Sequence, residues 1–242
     1  MQKVHKRGIL DYLMKPFAWI SRRRDVNVYF VSGMCNRCDV FDGLTLPKGY
    51  CKNYIEWYIP QENETLDEYV REMAKGINTS KLFILVGYSF GGIIIQEMNK
   101  FLTPQKNIII SSIKSEREIP TIFRLARNIH FAEYLPERIY ASTNIITSTF
   151  SRFVYRSLGD KAQEYMTFTD PIYLKWAIHQ ITNWIPAGNI IIKNLYHIHG
   201  TKDQIFPLES IENAQAIEGG DHLMIVLKAD EINERIKKIL ED

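Results

Sequence analysis

The sequence has little of what several protein classes require. Only three of its 242 residues are cysteine, an odd number that does not fit the disulfide framework of a small secreted protein. No stretch approaches the ~18 uncharged apolar residues of a transmembrane helix. The 13 glycines and 9 prolines are too few for a collagen-like or low-complexity chain. An aromatic content of 12% and a net charge of only +2 exclude a chain that is disordered as a whole.

What remains is an ordinary globular composition, with 45% hydrophobic and 24% charged residues. The length is large for one domain of ~150 residues and small for two, and single α/β domains often reach it. A chain of this size buries roughly 70–75% of its unfolded surface, so it needs neither a metal nor a disulfide to fold.

Positive charge is concentrated at the start of the chain. Residues 1–24 carry seven basic side chains against Asp11, a net +6, which leaves −4 on the remainder. A mildly acidic body is not what a nucleic-acid-binding domain presents, so we expect no nucleic-acid partner. The basic segment is best interpreted as a solvated helix over residues 8–21. Contact with an anionic membrane surface through residues 1–24 is the alternative.

No targeting or metal-binding pattern is complete. Asp11, Lys15 and Pro16 interrupt any signal-peptide core, and no small-residue cleavage site follows. Cys35 and Cys38 form a C-x-x-C, but no second pair completes a zinc site, so we expect no metal and no cofactor. Unpaired thiols fit a reducing compartment, and the expected location is the cytoplasm.

Short apolar runs alternate with helical patterns along most of the chain. Such alternation predicts βαβ units and a mostly parallel sheet flanked by helices, an α/β fold. Thr65 and Glu68 form a capping box at the start of the first of these helices. The predicted strands cover 26–32, 54–59, 81–86, 107–112, 190–198 and 213–217, and the predicted helices cover 66–77, 93–101 and 225–240.

One long segment interrupts this alternation. Residues 113–186 are rich in aromatic and charged side chains but contain no clear strand, and a compact domain does not hold so long a plain loop. We expect a helical insertion over the sheet. The predicted organisation is a basic extension over 1–25, a core formed by 26–112 and 187–242, and the insertion between them.

The strongest chemical signal is Gly-Tyr-Ser-Phe-Gly-Gly at 87–92, between a predicted strand and a predicted helix. A G-x-S-x-G at such a junction is a nucleophile elbow, in which Ser89 sits on a strained turn and its hydroxyl projects clear of the sheet. Flanking glycines are needed because the turn has no room for side chains. The helix N-terminus places N–H groups beside developing negative charge.

A serine hydroxyl needs a base, and the base needs an orienting acid. After a nucleophile elbow these follow in the order Asp or Glu, then His. His222 lies in a loop before the last helix, and Asp203 follows a predicted strand, so these are the candidate base and acid. The weaker candidates are Asp221 and Glu209 for the acid, and His5, His130, His179, His197 and His199 for the base.

Two backbone N–H groups are expected to bind the oxyanion. One belongs to Phe90, the residue after the nucleophile. The other is assigned to Met34, in the loop after the first strand, where Gly33 lets the backbone approach closely. Gly33 and Tyr88 are expected to lie next to the substrate.

These motifs together resemble the α/β-hydrolase superfamily. The matching pieces are VNVYFVSGM, LVGYSFGG, IHGTKDQIFP and GGDHL, which span residue 26 to the last helix in the family's order. The resemblance implies Ser89 as nucleophile, Asp203 as acid, His222 as base and the insertion as a lid over the pocket. Ser32-Gly33 departs from the usual His-Gly of the oxyanion loop.

The expected function is therefore a serine hydrolase that cleaves an ester or thioester of a small acyl compound. Peptidase, acyltransferase and C–C hydrolase reactions use the same scaffold and stay open, as does a non-catalytic binding protein. A membrane-surface lipase is suggested by the basic segment alone. Release of halide is disfavoured, because family members with that chemistry carry aspartate where Ser89 stands.

Overall fold

The computed structural model describes residues 25–129, 164–186 and 192–242. The predicted helix at 8–21 and the basic extension lie outside these residues, as does the middle of the insertion.

Within the described residues, six strands form one sheet. The strands are β1 Val26–Val31, β2 Tyr50–Ile55, β3 Phe83–Tyr88, β4 Lys106–Ile110, β5 Leu195–Gly200 and β6 Gln215–Ile217. Their order in the sheet is β2-β1-β3-β4-β5-β6. Every neighbouring pair is parallel, which confirms the predicted α/β class and strand number. The carboxyl ends of parallel strands share one edge, so the loops after β1, β3, β5 and β6 meet there.

Six α-helices lie in the described part of the chain. The first begins with the predicted capping box, since the Thr65 side chain accepts from the Glu68 N–H while the Glu68 carboxylate accepts from the Thr65 N–H. Two helices belong to the predicted insertion and pack on each other. The helices are α1 Leu66–Ala74, α2 Phe90–Met98, α3 Thr121–Asn128, α4 Pro171–Asn183, α5 Met224–Leu227 and α6 Ala229–Glu241.

The core lies around the central strand β3, whose six residues are all buried. Helix α2 is buried along its whole length against β3, which explains its apolar run Ile93–Ile95 rather than an amphipathic pattern. None of the helices in the described ranges is long and apolar enough to cross a bilayer.

The predicted strand bounds are most in error for the second and fifth strands, and the other four are displaced by no more than two residues. The second strand is Tyr50–Ile55 instead of 54–59, because β2 is an edge strand with alternating partial exposure and lacks the continuous apolar run of a central strand. The fifth strand begins at Leu195, because Asn194 adopts φ 53° in the preceding turn, and continues to Gly200. Residues 187–191 lie outside the described part.

Candidate active site

Ser89 occupies the turn between β3 and α2 in a strained conformation. Its φ of 51° and ψ of −117° are unusual for a residue with a side chain, and such a conformation costs on the order of 1–3 kcal/mol. Two hydrogen bonds hold this turn, one to the last residue of β4 and one to the segment that follows β4. The Ser89 N–H donates to the Ile110 carbonyl at 2.9 Å, and the Ser112 hydroxyl donates to the Ser89 carbonyl at 2.8 Å.

The glycines of the motif are required by close backbone approach. A Cβ at Gly87 would clash with the Gly91 carbonyl, and a Cβ at Gly91 would clash with the Val31 carbonyl. Helix α2 can therefore begin directly above β1 and β3 only if these positions lack side chains. The predicted strand–turn–helix context of the motif is present in the structure.

His222 lies between Ser89 and Asp203. Its Nε2 is 2.9 Å from the Ser89 Oγ, and its Nδ1 is 2.9 Å from the Asp203 Oδ2. Both His222 and Asp203 are only 4% exposed. The other oxygen of Asp203 accepts from the N–H groups of Ile205 and Phe206, at 2.9 and 3.0 Å. Asp203 is therefore fixed at both oxygens.

Burial opposes ionisation of Asp203, but charge and hydrogen bonding from His222, with help from His199 and the Phe206 N–H, keep the pKa of Asp203 below its ordinary value. A carboxylate in this position accepts from Nδ1–H of His222. That bond leaves the lone pair of Nε2 facing the serine hydroxyl, which is the tautomer a general base needs.

Of the alternatives considered from the sequence, His197 and His199 are buried on β5, with His199 close to Asp203. The Asp221 carboxylate accepts from the Leu223 N–H in its own turn at 3.0 Å, and Glu209 is exposed in a short 3₁₀ helix. His179 lies on α4, where its ring approaches Asn183. His5 and His130 are outside the described residues.

The residues assigned to the oxyanion hole border the same pocket. Phe90 is the first residue of α2, and an N–H at that position has no partner within its helix. Met34 follows β1, and both side chains line the pocket next to Ser89 and His222. Among the described residues no acceptor for the Met34 N–H is present.

Trp57 anchors this loop and was missed in the sequence. Its indole N–H lies 2.8 Å from the Ser32 Oγ and 3.0 Å from the Gly33 carbonyl, and its ring stacks on Phe90 at 5.3 Å between centroids. The Ser32 hydroxyl in turn donates to the Asn36 carbonyl at 2.7 Å. Ser32, at the position of the family's usual histidine, thus braces the loop internally.

Gly33 and Tyr88, expected beside the substrate, pack under the site. A Cβ at Gly33 would lie 2.9 Å from the Tyr88 ring. Tyr88 is 1% exposed, and its hydroxyl donates to the His222 carbonyl at 3.0 Å. Tyr88 thereby supports the loop that carries His222, while its role towards the substrate stays a prediction.

An apolar pocket of about 240 Å³ opens above Ser89. Helices α3 and α4 form its roof, and the loop after β5 forms one wall. Thr182 is the one polar side chain of the lining besides Ser89 and His222 in the described part of the chain. The lining residues from these elements are Ile122, Phe123, Ala126, Ile178, Ile181, Thr182, Ile205 and Phe206.

Among the described residues, no group of three or more histidine, cysteine, aspartate or glutamate side chains is placed to hold a metal ion. Cys35 and Cys38 are both buried, and burial raises the pKa of each thiol to about 12. These thiols are therefore not reactive nucleophiles.

No family model matches the chain. A search of curated proteins by sequence also found no match.

Solved structures give clear matches. A thermophilic esterase from Thermogutta terrifontis, with malate bound, superposes with a TM-score of 0.66 at 13% identity over 89% of each chain. A structure from work on carboxylesterases of the Thaumarchaeon Nitrososphaera gargenis gives a TM-score of 0.66 at 16% identity, over 90% of this chain and 91% of that one. A putative non-heme bromoperoxidase, BpoC from Mycobacterium tuberculosis, gives 0.58 at 16% identity, over 89% and 92%.

Identities this low establish the fold alone, and proteins named for different reactions share it. The resemblance seen in the sequence is confirmed at that level. This protein has the fold of the α/β-hydrolase superfamily.

Proposed function

We propose that the protein is a serine hydrolase that cleaves an ester or thioester of a small acyl compound. The observation that carries this proposal is the continuous chain Asp203–His222–Ser89, with both contacts at 2.9 Å, at the foot of an apolar pocket. The strained backbone at Ser89 supports the proposal, because residues held in such conformations by the surrounding structure cluster at active sites.

In the proposed reaction the Ser89 Oγ attacks the acyl carbon, and His222 Nε2 takes the hydroxyl proton. Asp203 stabilises the resulting imidazolium. The N–H groups of Phe90 and Met34 bind the oxyanion, a contribution typically of about 3–4 kcal/mol per donor. The alcohol or thiol leaves with the proton from His222. Water, activated by the same imidazole, then hydrolyses the acyl-enzyme and frees Ser89.

The lining of the pocket limits the acyl group. The pocket volume of about 240 Å³ is space for a small acyl chain. Isoleucine and phenylalanine side chains on α3, α4 and the β5 loop favour an uncharged aliphatic group. We propose that residues 113–186 act as the lid, since α3 and α4 supply the roof.

The test is hydrolysis of p-nitrophenyl esters with acyl chains from two to twelve carbons. Wild type should turn over the short and medium chains, and Ser89→Ala should lose several orders of magnitude in rate. Ser80→Ala, an exposed serine in a turn before β3, is the control and should keep full activity. Equal rates for wild type and Ser89→Ala would refute the proposal.

Transfer of the acyl group to an acceptor other than water uses the same residues. Product analysis with and without an added alcohol distinguishes transferase from hydrolase.

The cytoplasm stays the proposed location, because all three cysteines are free thiols.

A further inference from the structure

Two histidines set aside as candidate bases lie directly behind the acid. His197 and His199 project from the same face of β5 and are 3% and 0% exposed. The His197 Nε2 lies 3.1 Å from the His199 Nδ1, and the His199 Nε2 lies 2.7 Å from the Phe206 carbonyl. The Lys114 ammonium lies 3.2 Å from the His197 Nδ1.

The partners at the two ends of this row fix where the protons are. The Phe206 carbonyl can only accept, so the His199 Nε2 carries a proton. The Lys114 ammonium can only donate, so the His197 Nδ1 is a bare acceptor. Between the rings, the His197 Nε2–H donates to the His199 Nδ1. Both imidazoles are therefore neutral, with the proton on Nε2.

The surroundings enforce this state. Burial, followed by the neighbouring His199 and Lys114, lowers the pKa of His197 to about 2, although a hydrogen bond with the Ser112 backbone opposes this. Burial also lowers the pKa of His199, although Asp203 opposes this. Lys114 keeps its orientation through the buried Glu118 carboxylate at 2.7 Å and the Glu212 carbonyl.

The row ends on the turn that holds Asp203. The Phe206 carbonyl accepts from His199, while the Phe206 N–H donates to the Asp203 Oδ1 at 3.0 Å. His199 Nε2 is also 3.6 Å from the Asp203 Oδ2, the oxygen that contacts His222. His199 thus holds the 203–206 turn through the Phe206 carbonyl, on the side away from His222. The Asp203 Oδ2 stays directed at His222.

We propose that His199 is a positioning residue for the acid. It holds the Phe206 carbonyl so that Asp203 presents Oδ2 to His222, and His197 with Lys114 fixes the tautomer that makes this contact. The inference rests on the proposed function for its catalytic consequence, but its structural content concerns only the Asp203–His222 bond.

The test compares His199→Leu, which removes the donor, with His199→Gln, whose side-chain N–H reaches the position of Nε2. The first readout is the far-downfield proton resonance of His222 Nδ1–H in the free protein. The second is kcat and KM on the best p-nitrophenyl ester. Asn107→Leu is the control. Asn107 is also a buried polar residue, but it lies at the start of β4, at the end of the sheet away from the active site.

His199→Leu should weaken the resonance or move it upfield and lower kcat on the order of 10²-fold at unchanged KM, as expected for a misplaced catalytic group. His199→Gln and Asn107→Leu should retain the wild-type position of the resonance and the wild-type kcat. An unaltered resonance in His199→Leu, no resonance in wild type, or a loss in His199→Gln as large as in His199→Leu would overturn the inference. An inactive wild type with the predicted resonance pattern would refute only the proposed function.

Discussion

The neutral state of His197 has a measurable effect on stability. The unfolded chain exposes this imidazole, which then titrates near its ordinary pKa of 6.5, whereas the buried ring in the native protein has its pKa lowered to about 2. Between these values the unfolded state binds a proton that the native state does not. The free energy of unfolding must therefore rise with pH below about 6.5 and fall as the solution is acidified.

The size of the effect follows from the same two values. Between pH 7 and pH 5 a site that titrates at 6.5 when unfolded, and stays neutral when folded, lowers the free energy of unfolding by about 2 kcal/mol. The His197→Gln substitution removes this site. The variant should be less stable at pH 7 by on the order of 1–3 kcal/mol, because a buried hydrogen bond is lost. Its free energy of unfolding should, however, fall by about 2 kcal/mol less than that of wild type between pH 7 and pH 5.

Urea unfolding at pH 7, 6 and 5, followed by tryptophan fluorescence, gives the free energy at each pH. Groups shared by wild type and variant cancel in the difference between the two slopes. Asn107→Leu, destabilised but with both histidines intact, should keep the wild-type slope. Parallel curves for wild type and His197→Gln would show that His197 is not held neutral, and the proton assignment of the whole row would be wrong.

Three further substitutions test the site. Trp57→Phe keeps an aromatic ring but loses the N–H that binds the Gly33 carbonyl, so kcat should fall about 10-fold at unchanged KM; a change in KM alone would contradict this. Gly91→Ala places a Cβ against backbone and should destabilise by about 3 kcal/mol in urea unfolding, whereas Gly76→Ala, whose Cβ would make only an ordinary 3.7 Å contact with the Met73 carbonyl, should not. Ile178→Trp fills part of the pocket and should move the preferred ester to shorter chains; an unchanged profile would place the acyl group elsewhere.

The sequence predicted those features that depend on local pattern. The elbow at 87–92 could be recognised because backbone crowding requires glycine two residues before and two residues after Ser89, and the structure shows that crowding at Gly87 and Gly91. Asp203 and His222 could be chosen because each follows a strand at the shared edge. Their contacts with one another are present, while their catalytic role is still the proposal.

The features missed depend on contacts between distant segments. The apolar run at 54–59 was interpreted as a strand. Its Trp57 lies beyond the end of β2 and is buried because its indole packs under the oxyanion loop and contacts Ser32. His197 and His199 alternate with apolar residues as on any strand, and no sequence pattern shows that their common face meets Lys114 and Phe206. Side-chain pairing across 83 residues is invisible in a single sequence.

The most direct measurement of the central claim is covalent labelling by a fluorophosphonate, which needs no knowledge of the substrate. Wild type, Ser89→Ala and His222→Gln would be incubated with the probe, weighed intact by mass spectrometry and mapped by peptide. An activated Ser89 predicts one adduct per chain on Ser89 in wild type, none in Ser89→Ala and a strongly slowed reaction in His222→Gln. An unlabelled wild type, or an adduct on another residue, would contradict the account.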